Sequence, residues 1–163
     1  MKKTEFDLRI LMVCLGNICR SPMADGLLRR KVKEQGLNIF VDSAGTANYH
    51  TGSAPDSRMI ETARSRGTEI QDLRARQFTK SDFVDFDFIY VMDESNLINV
   101  LKLSEHESNK QKVKLILDEL YPNQNIHVPD PYYGTKKDFM DVYDLLDGVT
   151  DKIIQKIKDG EIR

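Results

Sequence analysis

Only two cysteines, Cys14 and Cys19, occur among the 163 residues. So few exclude the disulfide framework of a small secreted domain, and the N-terminus, M-K-K-T-E-F-D, lacks the apolar run of a signal peptide. A reducing, cytoplasmic setting is expected. Long hydrophobic runs are also missing: no window approaches the ~18 to 20 apolar residues that cross a bilayer, so no membrane partner is expected. There is no low-complexity stretch and no internal repeat. Charge of one sign is not in excess, the formal net charge being -2, which argues against a nucleic-acid partner. Metal ligation lacks its pattern, because His50, His106 and His127 show no ligand spacing and the two cysteines have no nearby partners. Gly16 does not open a nucleotide loop, since the Gly-Lys-Ser/Thr ending is absent. No metal and no organic cofactor are expected.

What is present reads as one domain spanning residues 1–163, an α/β fold with an open parallel sheet of about four strands and helices on both faces. Residues 8–13 are almost wholly apolar, the pattern of a central strand buried on both faces. Ser21 offers a helix cap and Pro22 suits a first turn, with Met23, Leu27, Leu28 and Val32 on one side and Gly36 as a stop. Residues 39–44 predict a second strand, 86–92 a third and 113–117 a fourth. Residues 45–55 read as an irregular loop of the kind that lines sites. A helix over 56–66 has Asp56 or Ser57 as cap, whereas 70–78 reads as a loop with room for a short strand. Residues 79–82 resemble the start of a short helix, 94–103 a further helix, and 104–110 an exposed loop. From Phe139 to Ile157 apolar residues recur at three- and four-residue steps, which predicts an amphipathic helix over one sheet face.

The stretch V-C-L-G-N-I-C-R-S, residues 13–21, joins the first strand to the first helix. Ligands of open parallel sheets bind at the carboxyl ends of strands, where Cys14 falls. A loop curling over Leu15, Gly16, Asn17, Ile18, Cys19 and Arg20 turns successive N–H groups inward, and the positive helix end adds to their field, so a phosphate dianion fits. Gly16 and Asn17 tolerate unusual backbone angles. Arg20 can grip two phosphate oxygens in a planar fork. The same field favours the thiolate of Cys14, a nucleophile beneath a bound phosphorus atom. Ser21 can donate its hydroxyl to that sulfur. A leaving oxygen needs a proton, and Asp130, held between Pro129 and Pro131, is the candidate general acid.

C-L-G-N-I-C-R-S-P, followed far downstream by D-P-Y-Y-G, resembles the low-molecular-weight protein tyrosine phosphatases. V-D-S-A-G-T, P-D-S-R, A-R-Q-F-T and V-M-D-E-S-N-L extend the likeness over nearly the whole chain. The resemblance implies Cys14 as nucleophile, Arg20 as phosphate clamp and Asp130 as general acid and base. It implies that Asn17 and Ser21 brace the loop, that Ser43 joins their network and that Asp93 orients the arginine. Leu15, Ile18, Tyr49, Tyr132 and Tyr133 match positions that shape the pocket mouth. The implied partners are phosphotyrosine proteins or small aryl phosphates, with inorganic phosphate as product, and the implied state is a monomer or weak dimer. One departure stands out: many members carry a histidine before x-A-R-Q where this chain has Leu73, so Asn17 needs a backbone or water partner instead.

Rival readings remain within reach of the sequence. Cys19 is either a small packing residue or a resolving thiol that traps oxidised Cys14 as a disulfide. Arg74 and Arg76 suit a solvated face or an acidic phosphopeptide, and Tyr132 and Tyr133 suit pocket walls or kinase targets. A protein-arginine phosphatase tends to carry threonine where Ile18 stands, arsenate reduction needs further cysteines after Cys19, and a silent phosphate-binding module gains nothing from a nucleophile and an acid.

Overall fold

In the computed structural model, which describes residues 5–162, a four-stranded parallel sheet in the order β2-β1-β3-β4 carries helices on both faces. The elements are β1 (Leu8–Cys14), α1 (Arg20–Glu34), β2 (Ile39–Gly45), α2 (Ser57–Ser65), α3 (Asp82–Asp85), β3 (Phe88–Val91), α4 (Glu94–Leu101), α5 (Glu107–Lys110), β4 (Val113–Leu115) and α6 (Lys136–Lys158). Residues 1–4, which form most of the N-terminal stretch read above, and Arg163 lie outside the described residues.

Every residue of β1 is buried, because the strand is central and its two side-chain rows enter two cores. Leu8, Ile10 and Met12 join α1 and α6 residues such as Met23, Leu27, Phe139 and Leu146. Leu11 and Val13 face the opposite side, with Phe83, Ile89 and Val100. The chain leaves β1 for β2 on one side and returns to β3 on the other, so strand order reverses beside β1. Such a reversal opens a crevice at the carboxyl ends of the strands, and the loop after β1 lies there.

Several boundaries differ from expectation. β3 is limited to Phe88–Val91, with Phe86 stacked on Phe40 and Met92 donating its N–H to Val13 at 3.2 Å beyond the strand. β4 stops at Leu115 because a 3-10 turn, Ile116–Glu119, carries Glu119 beneath Tyr90, whose hydroxyl donates to it at 2.5 Å. Residues 104–110 are exposed as expected at Glu105 and Glu107, yet they include the single-turn helix α5. The short strand suspected in 70–78 is reduced to one parallel bridge, Gln77 with Gly45.

Candidate active site

β1 fixes Cys14 at the carboxyl end of a central strand and α1 fixes Arg20 at its first residue, so the loop between them is anchored at both ends by regular structure. Thr46 and Ala47 donate their N–H groups to the carbonyls of Cys14 and Leu15, at 2.9 and 3.0 Å, which prolongs the β1–β2 pairing into the loop. This close approach needs Gly45, because a Cβ there would come within 2.7 Å of the Leu15 carbonyl oxygen. Asp56 N–H reaches the Ile18 carbonyl at 2.8 Å and ties the loop to the cap of α2.

Asn17, not Gly16, supplies the left-handed turn, with φ of 59°. Its buried side chain is the hub of the loop. Nδ2 donates to Ser21 Oγ at 2.8 Å and to Ser43 Oγ at 2.9 Å, and Oδ1 accepts the backbone N–H of Arg76 at 3.0 Å. Leu73 packs partly buried against the core, and the Asn17 side chain finds a backbone partner at Arg76. Ser21 corrects an expectation: it makes no cap hydrogen bond, since α1 already begins at Arg20 and the Ser21 hydroxyl meets Cys14 Sγ at 3.0 Å. Asn17 N–H points at the same sulfur from 3.3 Å. No carboxylate occupies the first turn of α1, so its positive end is left to the loop.

Arg20 is almost wholly buried. Its Nη1 donates to Asp93 Oδ2 at 2.7 Å and to the Val128 carbonyl at 3.1 Å, while Nη2 lies 3.7 Å from Asp130 Oδ2. Burial works against the guanidinium charge, but the Cys14 sulfur and the Asp93 and Asp130 carboxylates outweigh it and raise its pKa. Asp93 also caps α4, its Oδ1 accepting Asn96 N–H at 2.8 Å. Asp130 sits in a turn of its own making, where Oδ1 accepts Tyr132 N–H at 3.1 Å. Val128 N–H pins the start of that segment to Met92 at 2.9 Å.

These groups share a pocket of about 340 Å³. Cys14, Ile18, Cys19 and Arg20 are its buried members; Leu15, Gly16, Tyr49, Tyr132 and Tyr133 surround them, and Asp130 stands among the walls. Tyr132 and Tyr133 meet edge to face, with ring centroids 4.9 Å apart. Asn17, Ser21, Ser43 and Asp93 stand behind the lining. Burial pushes the Cys19 thiol up, helped by the Asp56 charge, so Cys19 is held as a thiol.

Matching this geometry, a model of the low molecular weight phosphotyrosine protein phosphatases fits residues 9–161. The chain belongs to that family. A mouse low molecular weight phosphotyrosine protein phosphatase is 43% identical over 137 residues, 82% of this chain and 85% of the relative. Its Dictyostelium discoideum counterpart is 41% identical, covering 80% of this chain and 83% of its own. A solved protein tyrosine phosphatase from Entamoeba histolytica superposes with a TM-score of 0.88 at 38% identity, over 95% of this chain and 99% of that one.

Two side chains of this phosphatase escaped the sequence reading. His50, given no role above, lines the pocket beside Gly16, and its ring lies 6.4 Å from that of Tyr132. A histidine in an irregular loop has no periodicity to betray its direction. Arg58 pairs with Asp56, donates to the Tyr132 carbonyl at 3.0 Å and stacks over the rings of Tyr132 and Phe139, at 5.5 and 4.6 Å. The spacing of Asp56 and Arg58 at a helix start was the available signal. Arg76, half-buried, does more than face solvent, because it bridges Asp42 and Asp82 at 3.1 and 3.0 Å. Arg74 Nη1 donates to the backbone carbonyls of Gln71 and Leu73.

Proposed function

We propose that this phosphatase hydrolyses phosphotyrosine in proteins, and small aryl phosphates, through a phosphocysteine at Cys14. The observation that carries this reading is the convergence of Cys14 Sγ, the Arg20 guanidinium and the Asp130 carboxyl in one pocket, with Arg20 and Asp130 3.7 Å apart. Arg20 and the backbone N–H groups of residues 15–20 hold the phosphate, whose phosphorus faces the sulfur. The thiolate forms the S–P bond as the P–O bond breaks, and Asp130 gives its proton to the departing phenoxide. The resulting carboxylate then takes a proton from water, whose oxygen attacks phosphorus. The S–P bond breaks with its electron pair returning to Cys14, and inorganic phosphate leaves.

Ser21 and Asn17 support the sulfur in both states: Asn17 N–H donates to it at 3.3 Å and the Ser21 hydroxyl stands 3.0 Å away. Asp93 holds the arginine fork, and Ser43 holds Asn17. The apolar side chain of Ile18 and the rings of Tyr49, Tyr132 and Tyr133 suit a phenyl group better than a charged phosphoguanidine. Residues 1–163 act as a single domain, monomeric or weakly dimeric, in the cytoplasm; no helix among the described residues is long and apolar enough to cross a membrane.

Initial rates on matched phosphotyrosine, phosphoserine and phosphoarginine peptides test the reading. Phosphotyrosine is expected to be fastest, with competitive inhibition by vanadate and indifference to chelator. Faster cleavage of phosphoarginine, or a requirement for added metal, would overturn it.

A further inference from the structure

The segment that carries Asp130 has a second side. Asp130 and Tyr133 line the active pocket, and both also line a groove of about 770 Å³ that runs between this segment and the N-terminal part of α6. The walls of the groove are of two kinds. Pro129, Pro131, Val142 and Leu145 are apolar, whereas Asp138, Asp141 and Asp144 set carboxylates at three-residue steps along the helix, on neighbouring turns. No lysine, arginine or histidine is among the lining residues. Asp138 is engaged at the start of α6, where its Oδ2 accepts Thr135 N–H at 2.6 Å. Asp141 and Asp144 pair with Lys137 and Arg66, at 2.7 and 2.8 Å, in contacts that leave 55% and 58% of the two aspartate side chains exposed. Such pairs are weak and exchange readily for another cation.

An apolar trough with carboxylates along its rim suits a long basic side chain, whose methylenes lie on the prolines, Val142 and Leu145 while its charged head meets the rim. The adjoining pocket has the opposite sign, set by Arg20 and the positive end of α1. A ligand that fills both is therefore anionic at one end and cationic at the other. A phosphotyrosine with lysine or arginine close by in its chain has that form. The chain would cross from pocket to groove over Tyr133, whose side chain is 95% exposed and carries a ring face open to a passing cation. An extended chain advances roughly 3.3 Å per residue and Asp141 lies about one helical turn beyond Asp138, so a basic residue roughly two to four positions from the phosphotyrosine reaches the rim.

We propose that this groove receives the basic flank of the substrate, so that the phosphatase selects phosphotyrosine segments with lysine or arginine at that distance. Acidic flanks are disfavoured at the same place, because they bring like charges together. The inference rests on phosphotyrosine proteins being the substrate and specifies which of them are taken.

Phosphotyrosine peptides that differ only in flank, with lysine or glutamate at those positions on either side, provide the test. In wild type, lysine on one side is expected to raise kcat/KM roughly three- to tenfold over glutamate, chiefly through KM, and the ratio should fall towards one as salt screens the rim. The double variant Asp141→Asn with Asp144→Asn is expected to bring the ratio near one at low salt, and Asp141→Lys to invert it. Each variant is judged by its own ratio, so a general loss of activity does not imitate the effect. A wild-type ratio near one, or a ratio that the double variant leaves intact, overturns the proposal while the phosphotyrosine reading stands. If wild type cleaves phosphoarginine peptides and no phosphotyrosine peptide, that reading and the proposal fall together. If sedimentation shows a wild-type dimer that the double variant dissolves while the two ratios coincide, the groove holds a second copy of this chain and the proposal fails.

Discussion

The loop of the proposed nucleophile and the loop of the proposed acid face each other across one pocket and are built in opposite ways. Residues 14–20 are fixed from behind: Cys14, Asn17, Cys19 and Arg20 are all buried, and Asn17 alone is gripped at three side-chain positions. The segment 128–134 is fixed from its ends and left open in the middle. Val128 is tied to Met92 and Arg20, Tyr132 to Arg58, and Gly134 to Pro131, yet the Asp130 side chain keeps 44% of its surface exposed and Tyr133 keeps 95%. The contrast follows from what each must do. In the proposed mechanism, a sulfur that is nucleophile and then leaving group is served by unchanging dipoles, whereas an acid that later collects a proton from water has to touch water.

Substitutions can break that division of labour. Cys14→Ser should reduce turnover of p-nitrophenyl phosphate by ~10⁴-fold or more, with phosphate binding retained, because a hydroxyl oxygen is a far poorer nucleophile and leaving group than sulfur. Loss of binding in parallel would show that the loop depends on the sulfur for its shape. Asp130→Ala should cost roughly 10²-fold on phenyl phosphate, whose leaving group needs a proton, and several-fold less on p-nitrophenyl phosphate. Equal losses on the two substrates would remove Asp130 as the acid.

The buried side of α1, where Asp25 lies, should also announce itself through pH. Burial pushes the Asp25 carboxyl up from 3.8 to about 6, against the pull of Arg29. Between those values the folded protein keeps a proton that the unfolded chain has released. This stabilising contribution is therefore complete below pH 3.8 and is lost as pH rises through about 6. The difference of some two units corresponds to ~3 kcal/mol, so wild type should lose about that much relative to Asp25→Asn between pH 4 and 7 in urea titrations. A flat difference would mean that Asp25 is not isolated from solvent in solution. Smallest is the effect of Arg58→Ala, which loosens only the Tyr132 end of the acid loop: KM for a phosphotyrosine peptide should rise a few-fold at nearly constant kcat, as lost cation–π and backbone contacts imply.

Sequence legibility divides along a related line. β1 could be read because burial on both faces leaves no polar residue in five consecutive positions, Ile10 to Cys14, and the open parallel sheet, though not its strand order, followed from strands alternating with helices. The loop's place between strand and helix could be read because cysteine and arginine six apart at such a junction have few structural uses. Ser21 misled because a hydroxyl at a helix start looks like a cap, and only three dimensions reveal that Cys14 and Asn17 claim it. Arg76 misled because its partners, Asp42 and Asp82, come from β2 and α3. His50 was hidden because it belongs to no spacing, and its meaning comes from a neighbour distant in sequence.

Asp93 bears on how this chain can vary. As the cap of α4 it could be replaced by serine, threonine or asparagine at little cost to the helix, and many neutral routes would be open to it. The second oxygen, turned to Arg20, closes those routes, since none of the three supplies a fixed negative charge. A site that elsewhere in a protein drifts freely is here restricted to one side chain, and the restriction is inherited by Asn96, whose amide completes the capping box. Variation in this phosphatase should accordingly be permitted along the exposed face of α4 and excluded from its first turn, although that turn never meets the substrate.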